Sequence, residues 1–274
     1  MKLKKLAALM MTAVMAASLF VGCGTNPTSS DSTVSSTPSG ESDLAYITEK
    51  GKMIIGITNY APMDFLDENG EWTGFDAEFA KAVCEKLGVE PEFIEIDWDN
   101  KALELDAKSI DCVWNGMTLT EEVKNAMECT DAYIENSQVV VMKADKIDTY
   151  QDADSMKDLK FVAEAGSAGE AAIKDAGLDA NYTAVGTQTD ALMEVASGSS
   201  DACVIDITMS NAMTGEGTSY ADLKSGIALT TEEYVIGFRK GSDAAAKVNE
   251  LMAEMMTDGT LDALAEKYEL TLAK

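Results

Sequence analysis

KFVAEAGSAGEAAI, residues 160–173, changes its period half-way along. Its first half is a short apolar run with the length of a strand. In its second half Ser167 is followed three residues later by Glu170, the spacing of a capping box that opens a helix. A strand running straight into a capped helix is the repeating unit of an α/β fold. The same alternation recurs along the chain. Strands are expected at KMIIGIT (52–58), EFIEID (92–97), DCVWNG (111–116), SQVVVMK (137–143), DACVID (201–206) and YVIGFRK (234–240). Between them DAEFAKAVCEKLG puts Phe79, Val83 and Leu87 on one helical face, with Gly88 placed as a cap, and further helices are expected near 121–127, 168–176, 190–197, 243–256 and 260–268. No sequence repeat or heptad pattern interrupts this order.

The N-terminus reads differently. MKLKKLAALMMTAVMAASLFVGCG sets Lys2, Lys4 and Lys5 before an uncharged run from Leu6 to Gly22, the layout of a secretory signal. Gly22 before Cys23 resembles the bacterial lipobox, which implies cleavage after residue 22 and a diacylated, lipid-anchored Cys23; Phe20 stands where leucine is usual. Residues 23–45 are then a linker, since GTNPTSSDSTVSSTPSGESD has almost no apolar side chains with which to offset the entropy of ordering.

The chain carries 48 acidic and 21 basic residues, a net charge of −27; without the three signal lysines the balance is 18 minus 48, or −30. That excludes a nucleic-acid partner on electrostatic grounds and a basic membrane-binding patch as well. Histidine is absent, so Ser-His-Asp, Cys-His and His-ligated metal chemistry are unavailable, and no metal or cofactor is implied. Cys84, Cys112, Cys129 and Cys203 sit among apolar neighbours without zinc-site spacing; buried free thiols fit better than disulfides in a domain of this size.

NYAPMDF (59–65), GEWTGFDAEFAKAV (70–83), AKSIDCVWNGMTLTEE (107–122), SGSSDACVID (197–206), YVIGFRKGS (234–242) and DGTLDALAEKY (258–268) together resemble the polar-amino-acid solute-binding proteins of ABC importers. The resemblance implies the type II periplasmic-binding-protein fold, two α/β lobes joined by two crossing strands. Lobe one would comprise 46–138 and 232–274, lobe two 139–231, with crossings near Gln138 to Met142 and Glu233 to Phe238. It implies no enzymatic step: a small polar ligand, most simply an amino acid, is captured outside the membrane and released to a permease.

By the same resemblance Tyr60 covers the ligand and Trp98 forms an apolar wall, while Asn115, Gly116 and Thr118 face an α-carboxylate. Ser167, Ala168 and Gly169 share that carboxylate from lobe two, and Asp206 pairs with the α-ammonium. Asp206 also fits, less well, a helix cap after a buried strand, and Trp114 is equally a cleft wall or core. One position departs from the family. Where its Thr-x-Glu-Arg motif places an arginine on the carboxylate, this chain has Val123, and its sole arginine, Arg239, lies on the outer side of the second crossing. Lys124, one residue on, points about 100° away along the helix. Three readings stand: a carboxylate held by Thr118 and the N–H groups at 168–169, an amine or amide lacking it, or a lysine entering from elsewhere. Other classes are a dehydratase of the same fold, for which Glu164, Glu170 or Asp206 would supply the acid, and a ligand-sensing module.

Overall fold

The computed structural model describes residues 42–274. The signal segment, Cys23 and all but the last few residues of the expected linker lie outside the described residues. The first lobe opens with α1 (Asp43–Glu49), β1 (Lys52–Ile57), the short hairpin of β2 (Phe65–Leu66) and β3 (Trp72–Thr73), then α2 (Phe75–Leu87) and β4 (Glu90–Glu95). It continues through α3 (Lys101–Asp106), β5 (Cys112–Thr118), α4 (Glu121–Ala126), β6 (Met127–Cys129) and β7 (Ile134–Asn136). The second lobe takes β8 (Gln138–Lys143), β9 (Phe161–Glu164), α5 (Ala168–Asp175), β10 (Tyr182–Val185), α6 (Gln188–Ser197), β11 (Ala202–Asp206), α7 (Ile207–Met213) and β12 (Leu223–Ala228). The chain then returns to the first lobe with β13 (Glu232–Arg239), α8 (Ala244–Thr257) and α9 (Thr260–Lys267).

One sheet runs β4-β1-β5-β13-β6, with β7 also on β13; the other runs β10-β9-β11-β8-β12. β5, β8 and β11 are buried along almost their whole length, because helices cover both faces of each sheet, which is why they read as unbroken apolar runs. The stretches expected to cross between lobes are instead the bodies of β8 and β13, each an interior strand of its own sheet. The changeovers fall just before them, at Ser137 and at 229–231. Antiparallel pairing sets Gln138 beside Asp206 across β8 and β11, and Tyr234 beside Thr118 across β13 and β5. Those two registers bring the strand ends that matter to one place.

α2 packs as its periodicity requires, with Phe79 meeting Trp114 edge to face at 4.8 Å between ring centroids and Gly88 in the left-handed conformation as its cap. Trp114 is therefore core. α1 begins at Asp43, so the last residues of the segment expected to be linker are helical. Cys84, Cys112, Cys129 and Cys203 are free thiols, and burial pushes the Cys84 thiol up to about 12.

Arg239 fastens α1 to the sheet. Its Nε and Nη2 donate to Asp43 Oδ1 at 2.9 and 2.7 Å, Nη1 to the Ile110 carbonyl at 2.6 Å, and Nη2 to Asp111 Oδ1 at 3.2 Å. Asp111 is fully buried, and its other oxygen takes Lys50 Nζ at 2.5 Å and the Ile54 N–H at 2.7 Å. Removing the guanidinium leaves two acids short of a partner. Arg239→Met is expected to lower unfolding free energy by about 3 kcal/mol, the low end for breaking a buried pair because Lys50 remains. Lys124→Met, which loses only an exposed pair with Glu121, should change it by under about 0.5 kcal/mol. Urea denaturation of both variants checks the contrast, and equal midpoints would refute the anchoring account.

Candidate functional site

A cavity of about 400 Å³ lies between the lobes. Tyr60, Trp98, Asn115, Gly116 and Thr118 line it from the first lobe, and Ser167, Ala168 and Asp206 from the second. Eight of the nine residues singled out in the sequence thus share one concavity. The ninth, Gly169, is turned away: a Cβ on it would lie 2.6 Å from the Val204 carbonyl oxygen and 3.0 Å from Gln138 Oε1. Close packing of α5 on β11 explains this glycine; an approaching ligand does not.

At the inner end two carboxylates face one another through two amides. Asn136 Nδ2 donates to Asp206 Oδ1 at 2.6 Å and to Glu232 Oε1 at 2.7 Å; Gln138 Nε2 donates to the same two oxygens, both at 2.7 Å. Gln188 completes the frame, giving Nε2–H to Asp206 Oδ2 at 2.5 Å and receiving the Asp206 N–H at 3.0 Å. Although Asp206 occupies the N-cap of α7, its side chain makes no capping bond, so its free lone pair is left for the cavity. Burial, and then the charge of Glu232, pushes the Asp206 carboxyl up to about 6 against the pull of the amides.

The β5 strand end differs from the expectation in what it has free to offer. Asn115 spends its whole side chain inside the protein: Nδ2 on the Thr58 carbonyl at 3.1 Å and Asp64 at 2.7 Å, Oδ1 on the Thr58 N–H at 2.8 Å and hydroxyl at 2.7 Å. The Gly116 N–H goes to Asp76 Oδ2 at 2.6 Å. Thr118 gives its single hydroxyl proton to Glu232 Oε1 at 2.7 Å, which leaves it an acceptor towards the cavity. This corner is built to receive positive charge.

Free donors gather at the opposite wall. Ser167 caps α5 by accepting the Glu170 N–H at 3.1 Å, while Glu170 reaches back to the Gly166 N–H at 2.7 Å, one residue before the expected box partner. The first N–H groups of α5 have no carbonyl four residues back to bond. Lys101, absent from the sequence reading, enters from α3 beside them. Its Nζ donates to the Trp98 carbonyl at 3.1 Å and across the mouth to the Gly166 carbonyl at 2.9 Å, with its ammonium 4.9 Å from the Trp98 ring centroid. An ammonium has three protons, so one is uncommitted by these bonds. Burial lowers the Lys101 pKa, and the charges of Glu122 and Glu164 act against that. Trp98 is accordingly a partner of a cation more than a bare apolar wall.

The lobes touch across the mouth at Lys101, at Tyr60, whose hydroxyl meets Thr208, and at Gly166, where a Cβ would lie 2.6 Å from Asp99 Oδ1. Val123 is buried with Trp98 and Met117 and also lines the cavity; Arg239 stands at the far end of β13, about 23 Å of strand from Glu232.

Residues 53–271 match the bacterial extracellular solute-binding proteins, family 3. The chain belongs to that family. It is similar to the L-cystine-binding protein TcyJ of Escherichia coli (strain K12), 29% identical over 228 residues that cover 82% of this chain and 85% of that one. Among solved structures it resembles the ancestral amino acid-binding protein AncCDT-1, a precursor of cyclohexadienyl dehydratase, with 31% identity, a TM-score of 0.76 and coverage of 83% and 99%. An ancestral arginine-binding protein bound to arginine aligns with 34% identity, a TM-score of 0.73 and coverage of 80% and 98%. The fold of two lobes around a cleft is thus shared with amino-acid-binding proteins of ABC transporters.

Besides Lys101, the sequence reading missed Gln188 and Glu232 as members of the site, and noticed Glu164 only as a would-be acid. Glu232 carries a local signal, since it follows Thr230 and Thr231 at the start of an apolar strand. Gln188 carries none.

The buried acids fix the pH dependence of the empty protein. Burial pushes Asp206 from 3.8 to about 6, Asp76 from 3.8 to about 7 and Glu164 from 4.5 to about 8, while Asp64 also rises. Between roughly pH 4 and pH 8 the folded chain therefore binds more protons than the unfolded one, and stability falls as pH rises. The ligand-free protein should show a higher urea midpoint at pH 5 than at pH 8. A midpoint that climbs toward pH 8 would contradict the burial of these carboxyls.

Proposed function

We propose that the protein captures a small ammonium-bearing solute, an amino acid in the simplest case, between its lobes and delivers it to an ABC permease. The observation that carries this reading is the Asp206–Glu232 pair, whose bridging amides leave acceptor oxygens at the inner end of the cavity. An ammonium held there meets Asp206, Glu232 and the acceptor face of Thr118. Its carboxylate would then lie toward Lys101, Ser167 and the first N–H groups of α5, so that a lysine from α3 takes the place left by Val123. Tyr60 closes over the ligand. The names of the relatives, binders of cystine and of arginine, agree with a zwitterionic solute. We further propose export, cleavage before Cys23 and acylation of that cysteine, which would hold the protein beside its permease on the outer face of the membrane.

A same-fold enzyme is the second reading, favoured only by a buried acid with a raised pKa and a lysine with a lowered one along one cavity. Recovering the bound solute chemically unchanged after prolonged incubation separates binding from turnover.

Calorimetry tests the ammonium site directly. Asp206→Asn should weaken the best-binding amino acid by about 2–4 kcal/mol, well over tenfold, with unchanged secondary structure. Unaltered affinity would refute the assignment. Val123→Arg places a second cation near Lys101 and should not tighten that ligand more than about threefold; a gain of a hundredfold would show that its carboxylate is poorly held in the native cleft. For the anchor, mass spectrometry of membrane-extracted protein should find residues 1–22 missing and Cys23 diacylated, whereas an intact N-terminus would overturn it.

A further inference from the structure

Glu164 is the one cavity-lining residue that has a buried side-chain oxygen without a hydrogen-bond partner among the described residues. It ends β9, is buried to 3% exposure, lines the cavity, and its Oε1 has no hydrogen-bond partner. A buried polar atom without a partner costs on the order of 1–3 kcal/mol, more for a charge, and calls for an explanation. None of the nearby donors reaches it. Gln188 is spent on Asp206, the Ser167 hydroxyl oxygen faces the Glu170 N–H, and Lys101 donates to two carbonyls and forms no ion pair among the described residues.

The surroundings say what sort of group would satisfy it. Glu121, Glu122, Glu164, Asp175, Asp206 and Glu232 all line the cavity, against Lys101 as its single basic residue. One zwitterion cannot balance that wall: its ammonium answers Asp206 with Glu232, its carboxylate answers Lys101, and Glu164 remains. Burial holds Glu164 largely protonated in the empty cleft at neutral pH, and a cation beside it is what allows it to ionise in place. β9 and β11 are parallel neighbours, paired at Ala202 with Phe161 and Cys203 with Val162, so Glu164 and Asp206 end adjacent strands, one residue out of register with each other. Both side chains reach the same cavity from these neighbouring strands.

We propose that Glu164 is a specificity-determining residue, and that the cleft selects a solute with two positively charged nitrogens, one met by Asp206 with Glu232 and the other by Glu164. The inference rests on the reading of the cleft as an ammonium site and narrows its ligand class. Two sources share that chemistry, a dibasic amino acid and a diamine without a carboxylate.

The test uses pairs in which one member lacks the second positive charge: L-lysine against L-norleucine, L-arginine against the isosteric L-citrulline, and putrescine against n-butylamine. Calorimetry on the wild-type protein at about neutral pH should show the dicationic member of at least one pair binding about tenfold tighter or better. Glu164→Gln should erase that gap by weakening the dication about tenfold, while leaving the singly charged member within about threefold and the thermal midpoint of the empty protein unchanged or higher. Putrescine binding as tightly as lysine would assign the site to diamines; its failure beside good lysine binding would assign it to dibasic amino acids. Equal affinities within every wild-type pair overturn the proposal while leaving the ammonium site standing, as does a gap that survives in Glu164→Gln. Should Glu164→Gln fail to fold, the wild-type pairs decide alone. If no amine in the panel binds, both the ammonium site and this narrowing of it fall together.

Discussion

Two amide side chains, Asn136 and Gln138, hold this molecule's site and its changeover between lobes in a single arrangement. Each places one hydrogen on Asp206 and one on Glu232, so four N–H bonds stand between a buried acid and a half-buried one. Like charges at such separations repel by several kcal/mol in a protein interior, and without those donors the acids would not share one space. Asn136 and Gln138 flank the changeover at Ser137 and Glu232 follows the one at 229–231, while Asp206, at the end of β11, is set beside Gln138 by strand pairing. Whatever moves the lobes relative to each other therefore disturbs the carboxylates, and whatever satisfies the carboxylates fixes the lobes. The antiparallel pairing of Gln138 with Asp206 makes the coupling a matter of strand register, which side-chain rotation alone cannot undo.

The second constraint is the placement of positive charge. With 48 acids in the chain, each guanidinium or ammonium has many competing partners, and burial decides among them. Arg239 is committed to Asp43 and Asp111 at the far end of β13, where it docks α1. Val123 fills its own position by packing with Trp98 and Met117. Lys101 is the cation left to the cleft, and its bonds to the Trp98 and Gly166 carbonyls hold it there without neutralising it. A single lysine, supported by the start of α5, is a weaker and less directional holder of a carboxylate than a bidentate arginine. On the proposed reading, the emphasis of recognition shifts accordingly to the acidic end.

Much of this was legible in the residues. The strands of both sheet interiors announce themselves as apolar runs, and Ser167, Thr120 and Gly88 cap the helices that their spacing predicts. What escaped was short, polar or non-local. α3 and α7 have six and seven residues with no clear apolar stripe, and β6 and β7 exist only because β13 offers them an edge. The site divides in the same way. Asp206, Tyr60 and Thr118 are found from motif order, whereas Lys101 is one lysine among twenty in the chain, brought in by the fold alone. Asn115 and Gly116 show the converse limit: sequence places them at the cleft, yet only the structure reveals that Thr58, Asp64 and Asp76 have already taken their hydrogen bonds.

The distribution of acids between the lobes gives the cavity a further property. Glu121, Glu122 and Glu232 line it from the first lobe, and Glu164, Asp175 and Asp206 from the second. Bringing the walls together sets three acids against three, and the contacts at the mouth, Lys101 on Gly166 and Tyr60 on Thr208, contain one positive charge with which to oppose that repulsion. Exposed members such as Glu121 are screened by salt, but Asp206, Glu232 and Glu164 meet in a region where screening is weak. An empty cleft of this kind gains little by closing. On the proposed reading a positively charged solute reverses the balance, because each of its nitrogens lies between acids contributed by different strands and lowers the energy of their approach. A ligand shifts a conformational equilibrium only by as much as it prefers one state over the other. Here that preference has an identifiable source, the buried charge that the solute alone can compensate.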